Sequence, residues 1–240
     1  MAQLVEFQGK VHKFPDNASQ DQIRGALMSL LPASEGMGKV DTGVRKGDGL
    51  VALSEKQETF RENIQTIETG GLENNMIRTL APGSSEGSTA YGSYQITMGL
   101  AEGYLENHAS LFDEDETRAL ETMIERQDVA IAIGGRDRKR YEKGGAGHAK
   151  AKQWAKKYGY ENVDEFLDAF DYGGDMGLAE DADWQVHYEN FGRKMLNKHL
   201  KDAGGDEIEA ATMWHGGTNW KKTSPDTTRQ YIAKYKKLQN

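Results

Sequence analysis

The sequence predicts a mostly α-helical protein with a small ββα element at its start. Helical segments show apolar residues three and four apart, capping patterns stand ahead of them, and paired glycines end several of them. Strand-like alternation is convincing only near the N-terminus.

Residues 3–14 alternate apolar and polar around Gln8-Gly9, with Val5, Phe7, Val11 and Phe14 apolar, as in a short hairpin. Pro15-Asp16-Asn17 breaks it, and Ser19 with Gln22 forms a capping box ahead of Ile23, Ala26, Leu27, Leu30 and Leu31. Residues 1–31 therefore read as a ββα unit, too small to bury a core of its own. Residues 32–49, rich in Gly, Ser and charge, read as a linker, so the main domain is expected to span 50–240.

Ser54 and Gln57 cap a helix whose face carries Phe60, Ile64 and Ile67, and Gly70-Gly71 ends it. Glu68 lies four residues after Ile64 and so falls on the buried flank, an unusual place for a carboxylate. Apolar neighbours that exclude water there raise a carboxyl pKa, as a general acid near neutral pH requires. A Gly/Ser-rich loop follows, then Tyr94-Gln95-Ile96.

Residues 113–133 are helical by pattern, and 163–170 make a shorter helix. Between them lies a glycine-punctuated basic segment, GGRDRKRYEKGGAGHAKAKQWAKK, read first as a solvated loop and helix face and second as a contact for anionic polymer or nucleic acid. The acidic loop from Asp171 to Asp183 lacks EF-hand spacing and is read as solvated, with no metal. Tyr188, Phe191, Met195 and His199 mark a core helix, in which Gly192 admits a neighbouring backbone. Asp206 and Glu209 cap the next helix, which carries Trp214 and His215 before Gly216-Gly217, and Tyr231, Ile232 and Tyr235 lie on the last.

The chain of 240 residues, 37% hydrophobic, suffices for one main core. A net charge of −8 makes nucleic acid an unexpected partner, and no apolar run approaches the ~20 residues of a membrane span. Without cysteine, disulfides and thiolate metal sites are excluded. MAQLVEFQGKVHKF lacks the pattern of a secretory signal.

In chain order stand Ile67-Glu68-Thr69, then Ala90-Tyr91-Gly92-Ser93-Tyr94-Gln95-Ile96. Asn190-Phe191-Gly192 through Leu196 and Gly205-Asp206 follow, leading into Ala210-Ala211-Thr212-Met213-Trp214-His215-Gly216-Gly217, and last comes Thr228-Arg229-Gln230-Tyr231-Ile232. They resemble the "ES", "GLMQI", "N..G...L...GD...ALAAYNAG" and "ETR.YV" motifs of the soluble-type lytic transglycosylases, which share a fold with goose-type lysozyme. The match covers about 50–100 and 185–235, with a helical insertion at about 101–184 that does not align. Ser93-Tyr94 stands for Leu-Met, and Trp214-His215 for Tyr-Asn.

The resemblance implies a lysozyme-like domain that binds peptidoglycan glycan strands and needs no cofactor. Glu68 would be the catalytic acid and base, with Thr69, Gly92, Tyr94, Gln95, Trp214, His215 and Tyr231 as substrate-binding residues. It also implies a Tyr231 to Glu68 hydrogen bond. On the residues alone, Trp214 and Tyr231 read equally well as core aromatics, and His215 reads better as a helix cap. In goose-type lysozymes an aspartate that helps position the hydrolytic water directly follows the apolar residue of the "GLMQV" motif. Thr97 stands there, favouring anhydro-sugar formation over hydrolysis, while Glu73 and Glu86 keep hydrolysis open as the alternative. An inactive structural or glycan-binding virion protein is the second alternative. The N-terminal VEFQGKVHKFPDNASQDQIRGAL resembles a short element of tailed-phage virion proteins. That implies a virion enzyme, with other virion proteins as partners, acting in the bacterial periplasm or cell wall after genome ejection.

Overall fold

The computed structural model describes residues 3–7, 10–14, 49–70, 76, 78–80, 89–133, 138–171, 173–217, 220–223 and 225–239. The chain divides into two compact units, Met1–Gly38 and Lys39–Asn240. In the first, β1 (Gln3–Phe7) pairs antiparallel with β2 (Lys10–Phe14), Gln3 opposite Phe14 and Phe7 opposite Lys10. The hairpin expected from the alternation is therefore present. The helix expected at Ile23–Leu31 and the linker 32–49, apart from Gly49, lie outside the described residues.

The second unit is mostly helical. Its first helix, α1 (Glu55–Thr69), begins on the expected capping box: Gln57 N donates to Ser54 Oγ at 3.4 Å and Ser54 N donates to Gln57 Oε1 at 2.8 Å. Gly70, in the left-handed conformation at φ 66°, ends it. A three-stranded antiparallel sheet follows, β3 (Arg78–Leu80), β4 (Thr89–Tyr91) and β5 (Ile96–Thr97), in the order β3-β4-β5. The sequence had shown no convincing strand after the hairpin, because segments of two and three residues are too short to display alternation.

Among the described residues the further α-helices are α2 (Met98–His108), α3 (Glu114–Ile133), α4 (Arg138–Tyr141), α5 (His148–Lys157), α6 (Val163–Phe170), α7 (Ala182–Asp202), α8 (Glu207–Gly216), α9 (Trp220–Thr223) and α10 (Pro225–Leu238). Their starts follow the sequence: Thr97, Asn162, Asp181 and Asp206 cap α2, α6, α7 and α8 with side-chain oxygens. No described helix is long and apolar enough to cross a membrane.

One hydrophobic core runs through the unit, so the 101–184 segment shares the core of the segments around it. Trp184 of α7 stacks on Tyr188 and donates its indole N–H to the Ala119 carbonyl of α3 at 2.9 Å. The acidic loop before α7 is anchored, contrary to the solvated reading. Met176 and Leu178 are fully buried, Tyr91 OH donates to the Asp175 carbonyl at 2.9 Å, and Arg138 donates to Asp171 at 2.9 Å. Two apolar residues among many acids hide such an anchor from composition. Among the described residues no cluster suited to a metal ion occurs.

His199 of α7 sits behind this core with its Nε2 3.4 Å from Tyr104 OH. Burial, helped by Lys198 and His108 and opposed by Asp202, pushes its pKa from 6.5 down to about 4. Between those values the unfolded chain binds the proton that the folded chain refuses, so stability falls as pH drops through that window. Urea unfolding at stepped pH is expected to show this loss between about pH 6.5 and 4. In His199→Phe that component should vanish. An unchanged pH profile in the variant would show that His199 does not cause it.

Candidate active site

Glu68 stands in the last turn of α1, half-buried, just before Gly70 ends the helix. Two donors from distant segments converge on one of its oxygens. Trp214 Nε1–H of α8 reaches Glu68 Oε1 at 3.0 Å, and Tyr231 O–H of α10 reaches the same atom at 2.9 Å. Their separations along the chain are 146 and 163 residues, so the arrangement is a product of the fold. Burial first, and the Glu68 carboxylate second, hold the Tyr231 phenol well above the usual tyrosine range. Tyr231 therefore stays a donor at any pH the protein meets. Both donors on Oε1 fix the orientation of the carboxyl group.

Trp214 and Tyr231 are 6% and 5% exposed. Each is a core aromatic by its ring and a site residue by its polar tip, so both readings of the sequence apply at once. His215 stacks on Tyr231 with ring centroids 4.3 Å apart and planes at 14°. Burial, then Lys234, lowers the His215 pKa, which keeps the imidazole neutral near pH 7. Helix α8 ends on Gly217, and His215 serves as a ring packed against the phenol that holds the acid.

The turn at 92–95 joins this group through Tyr94, whose ring meets Trp214 edge-on at 6.0 Å. Gly92 at φ 74° starts the turn, where a Cβ would collide with the Tyr188 hydroxyl. Gly192 of α7 faces the ring of Tyr94, and a Cβ there would overlap it. The close neighbour of Gly192 is thus a side chain and not the backbone the sequence suggested. Gln95 adopts φ 49° and donates Nε2–H to the Gly92 carbonyl at 2.8 Å.

Glu68, Trp214, His215 and Tyr231 are therefore brought together, with Tyr94 behind Trp214. Thr69, Gly92 and Tyr94 are buried. Thr69 donates its hydroxyl to the Gln65 carbonyl at 2.8 Å, and Tyr94 donates its own to Glu189 Oε1 at 3.0 Å. Their burial makes them the frame of the site, whereas Gln95 is only half-buried. Glu73 and Glu86 lie outside the described residues.

Sequence reasoning missed two groups. Tyr104 of α2 is close enough that, after burial, the Glu68 charge raises its phenol pKa. Glu189 of α7, with Arg61, Gln65, Ser93 and Arg193, forms a buried polar network that receives Tyr94. Its one visible trace was the helical spacing of Glu58-Arg61-Gln65 and Glu189-Arg193, which ordinarily marks surface pairs.

No family model, curated protein or solved structure matches this chain.

Proposed function

We propose that the protein is a peptidoglycan lytic transglycosylase with a lysozyme-like fold, and that Glu68 is its single catalytic acid and base. One observation carries the reading. The acid of the first motif accepts hydrogen bonds from Trp214 of the third and Tyr231 of the fourth, while Tyr94 of the second packs on Trp214. Segments matched only by order in the sequence meet at one carboxylate, as a shared catalytic purpose requires.

In this reading Glu68 gives its proton to the glycosidic oxygen between N-acetylmuramic acid and N-acetylglucosamine, and the C1–O bond breaks. The muramoyl O6 hydroxyl then attacks C1 and returns its proton to Glu68. No water is consumed, and the product ends in a 1,6-anhydro sugar. The fixed Oε1 keeps the carboxyl plane oriented through both transfers, which is where positioning contributes to rate. Gln95 and His215, both half-buried, are assigned to sugar contacts. Thr97 is an uncharged N-cap whose Oγ1 accepts from Leu100 N at 3.3 Å, so no water-activating carboxylate stands at that position. Delivery with a virion, to act on the cell wall from the periplasmic side, belongs to the same proposal and rests on the N-terminal resemblance.

Mass spectrometry of the soluble products from purified sacculi tests the reading. Muropeptides with anhydro ends are expected. Reducing ends in their place would make the protein a hydrolase, and no release at all would leave a glycan-binding or structural protein.

A further inference from the structure

The basic segment is not used by this mechanism, and it does not form a featureless solvated face. An open groove of about 650 Å³ lies between α5, the turn that precedes it and the start of α6. Lys143, Lys152 and Lys156 line one part, and Glu161, Asn162 and Asp164 line another. Lys152 and Lys156 are one turn apart on α5, so their ammonium groups follow one stripe about 6 Å apart along the axis. Lys143 is brought beside them by a tight turn. Gly145 N donates to the Glu142 carbonyl at 2.9 Å and Gly147 N to the Arg140 carbonyl at 2.8 Å. A Cβ on Gly145 would collide with the Arg140 carbonyl and one on Gly147 with the Tyr141 ring, so these two glycines serve close packing.

The three lysines are exposed, and among the described residues none has an ion-pair partner. Two other cations of the segment are paired, Arg138 with Asp168 and Asp171, and Lys157 with Glu125. Among the described residues, three ammonium groups without an ion-pair partner thus share one groove of an acidic protein with Glu161 and Asp164.

We propose that this groove binds an anionic glycan as a second, non-catalytic subsite. The lysines would meet carboxylates borne by the strand, and Glu161, Asn162 and Asp164 would accept or share hydrogen bonds with sugar hydroxyls. Lysine suits this task because its ammonium is a mobile point charge, able to follow carboxylates on a flexible chain, where arginine would demand a fixed bidentate geometry. The aromatic rings argue against single-stranded nucleic acid, which needs open faces for base stacking. Tyr160 packs edge-on against Phe166 and Phe170, and the Lys150 ammonium covers Trp154 at 4.4 Å from the ring centroid. The anionic glycan named here, peptidoglycan with its peptide carboxylates, rests on the proposed function.

The test compares the full chain carrying Glu68→Gln, which leaves the ligand intact, with the same chain carrying Lys143→Gln, Lys152→Gln and Lys156→Gln as well. The probe is fluorescent, uncross-linked peptidoglycan strands that retain their peptides, with neutral chito-oligosaccharide and a single-stranded DNA oligonucleotide as controls. Removing three screened surface contacts is expected to weaken strand binding about tenfold or more and to flatten its salt dependence. Binding of chito-oligosaccharide should not change, and circular dichroism should match. Equal strand binding by the two proteins would overturn the proposal. So would DNA bound more tightly than the strands and lost in the lysine variant. The two readings fail separately. Unchanged strand binding beside Glu68-dependent muropeptide release removes the groove alone. Weakened strand binding beside release that ignores Glu68 removes the catalytic assignment alone.

Discussion

Replacing Glu68 with glutamine is expected to lower muropeptide release from sacculi by about 10²–10⁴-fold, the usual contribution of a positioned general acid and base. The substitution isolates proton transfer from architecture. Glutamine keeps the length and planarity of the side chain, and its amide oxygen can still accept from Trp214 Nε1 and Tyr231 OH, the donors now 3.0 Å and 2.9 Å from Oε1. What it lacks is a transferable proton and a negative charge. The two hydrogen bonds lose their charge assistance, which costs about 1–2 kcal/mol of stability at most. Melting temperature should therefore move little while turnover collapses. Undiminished release by a folded Glu68→Gln protein would remove Glu68 from the mechanism. A large loss of stability would instead mean that the carboxylate mainly ties α1 to α8 and α10.

How far the site was legible depended on whether local chemistry or distant pairing made it. The start and end of α1 were visible because a capping box and a C-terminal glycine act within a few residues, and Glu68 stood out against the apolar face beside it. Asp206 capped α8 for the same reason. The β3-β4-β5 sheet was not visible, since its strands are too short for a period of two and gain their partners only after the chain has folded back. Nor was the anchoring of the 171–181 loop, which depends on a tyrosine hydroxyl finding a main-chain carbonyl 84 residues away. The spacing of Tyr231 on its helix showed a core aromatic. Its hydroxyl's choice of Glu68 came through resemblance and is present in the geometry, because the direction of a buried polar tip is set by tertiary packing.

The same limit hid the network around Glu189, whose loss should have the largest effect on stability. Glu189→Ala is expected to cost about 3–5 kcal/mol, as breaking a buried ion pair from one side does. Glu189 is 3% exposed, and Arg61 and Arg193 are 6% and 4%. Arg61 Nη1 lies 3.2 Å from Glu189 Oε1, and Arg193 Nε lies 3.2 Å from the same atom. Gln65 Nε2 donates to Oε2 at 3.1 Å and Tyr94 OH to Oε1 at 3.0 Å. With Glu58, which pairs with both arginines, and Glu62, 3.6 Å from Arg61 Nη2, the network holds two cations and three anions. Deleting Glu189 leaves the buried Arg193 guanidinium facing Glu58 and that of Arg61 facing Glu58 and Glu62, both of them more exposed anions than Glu189, and strands the Tyr94 hydroxyl. Hydrophobic replacement of the whole set is a different experiment, because it removes the desolvated cations along with their partner. The consequence should reach the site, since the Tyr94 ring that Glu189 fixes is the one packed against Trp214. Urea unfolding measures the first effect, and release by the fraction still folded measures the second. Unfolding at the wild-type urea midpoint would mean that water enters the network and solvates the arginines as well as Glu189 does, and then Tyr94 would owe its position to its packing on Gly192, Trp214 and Tyr188.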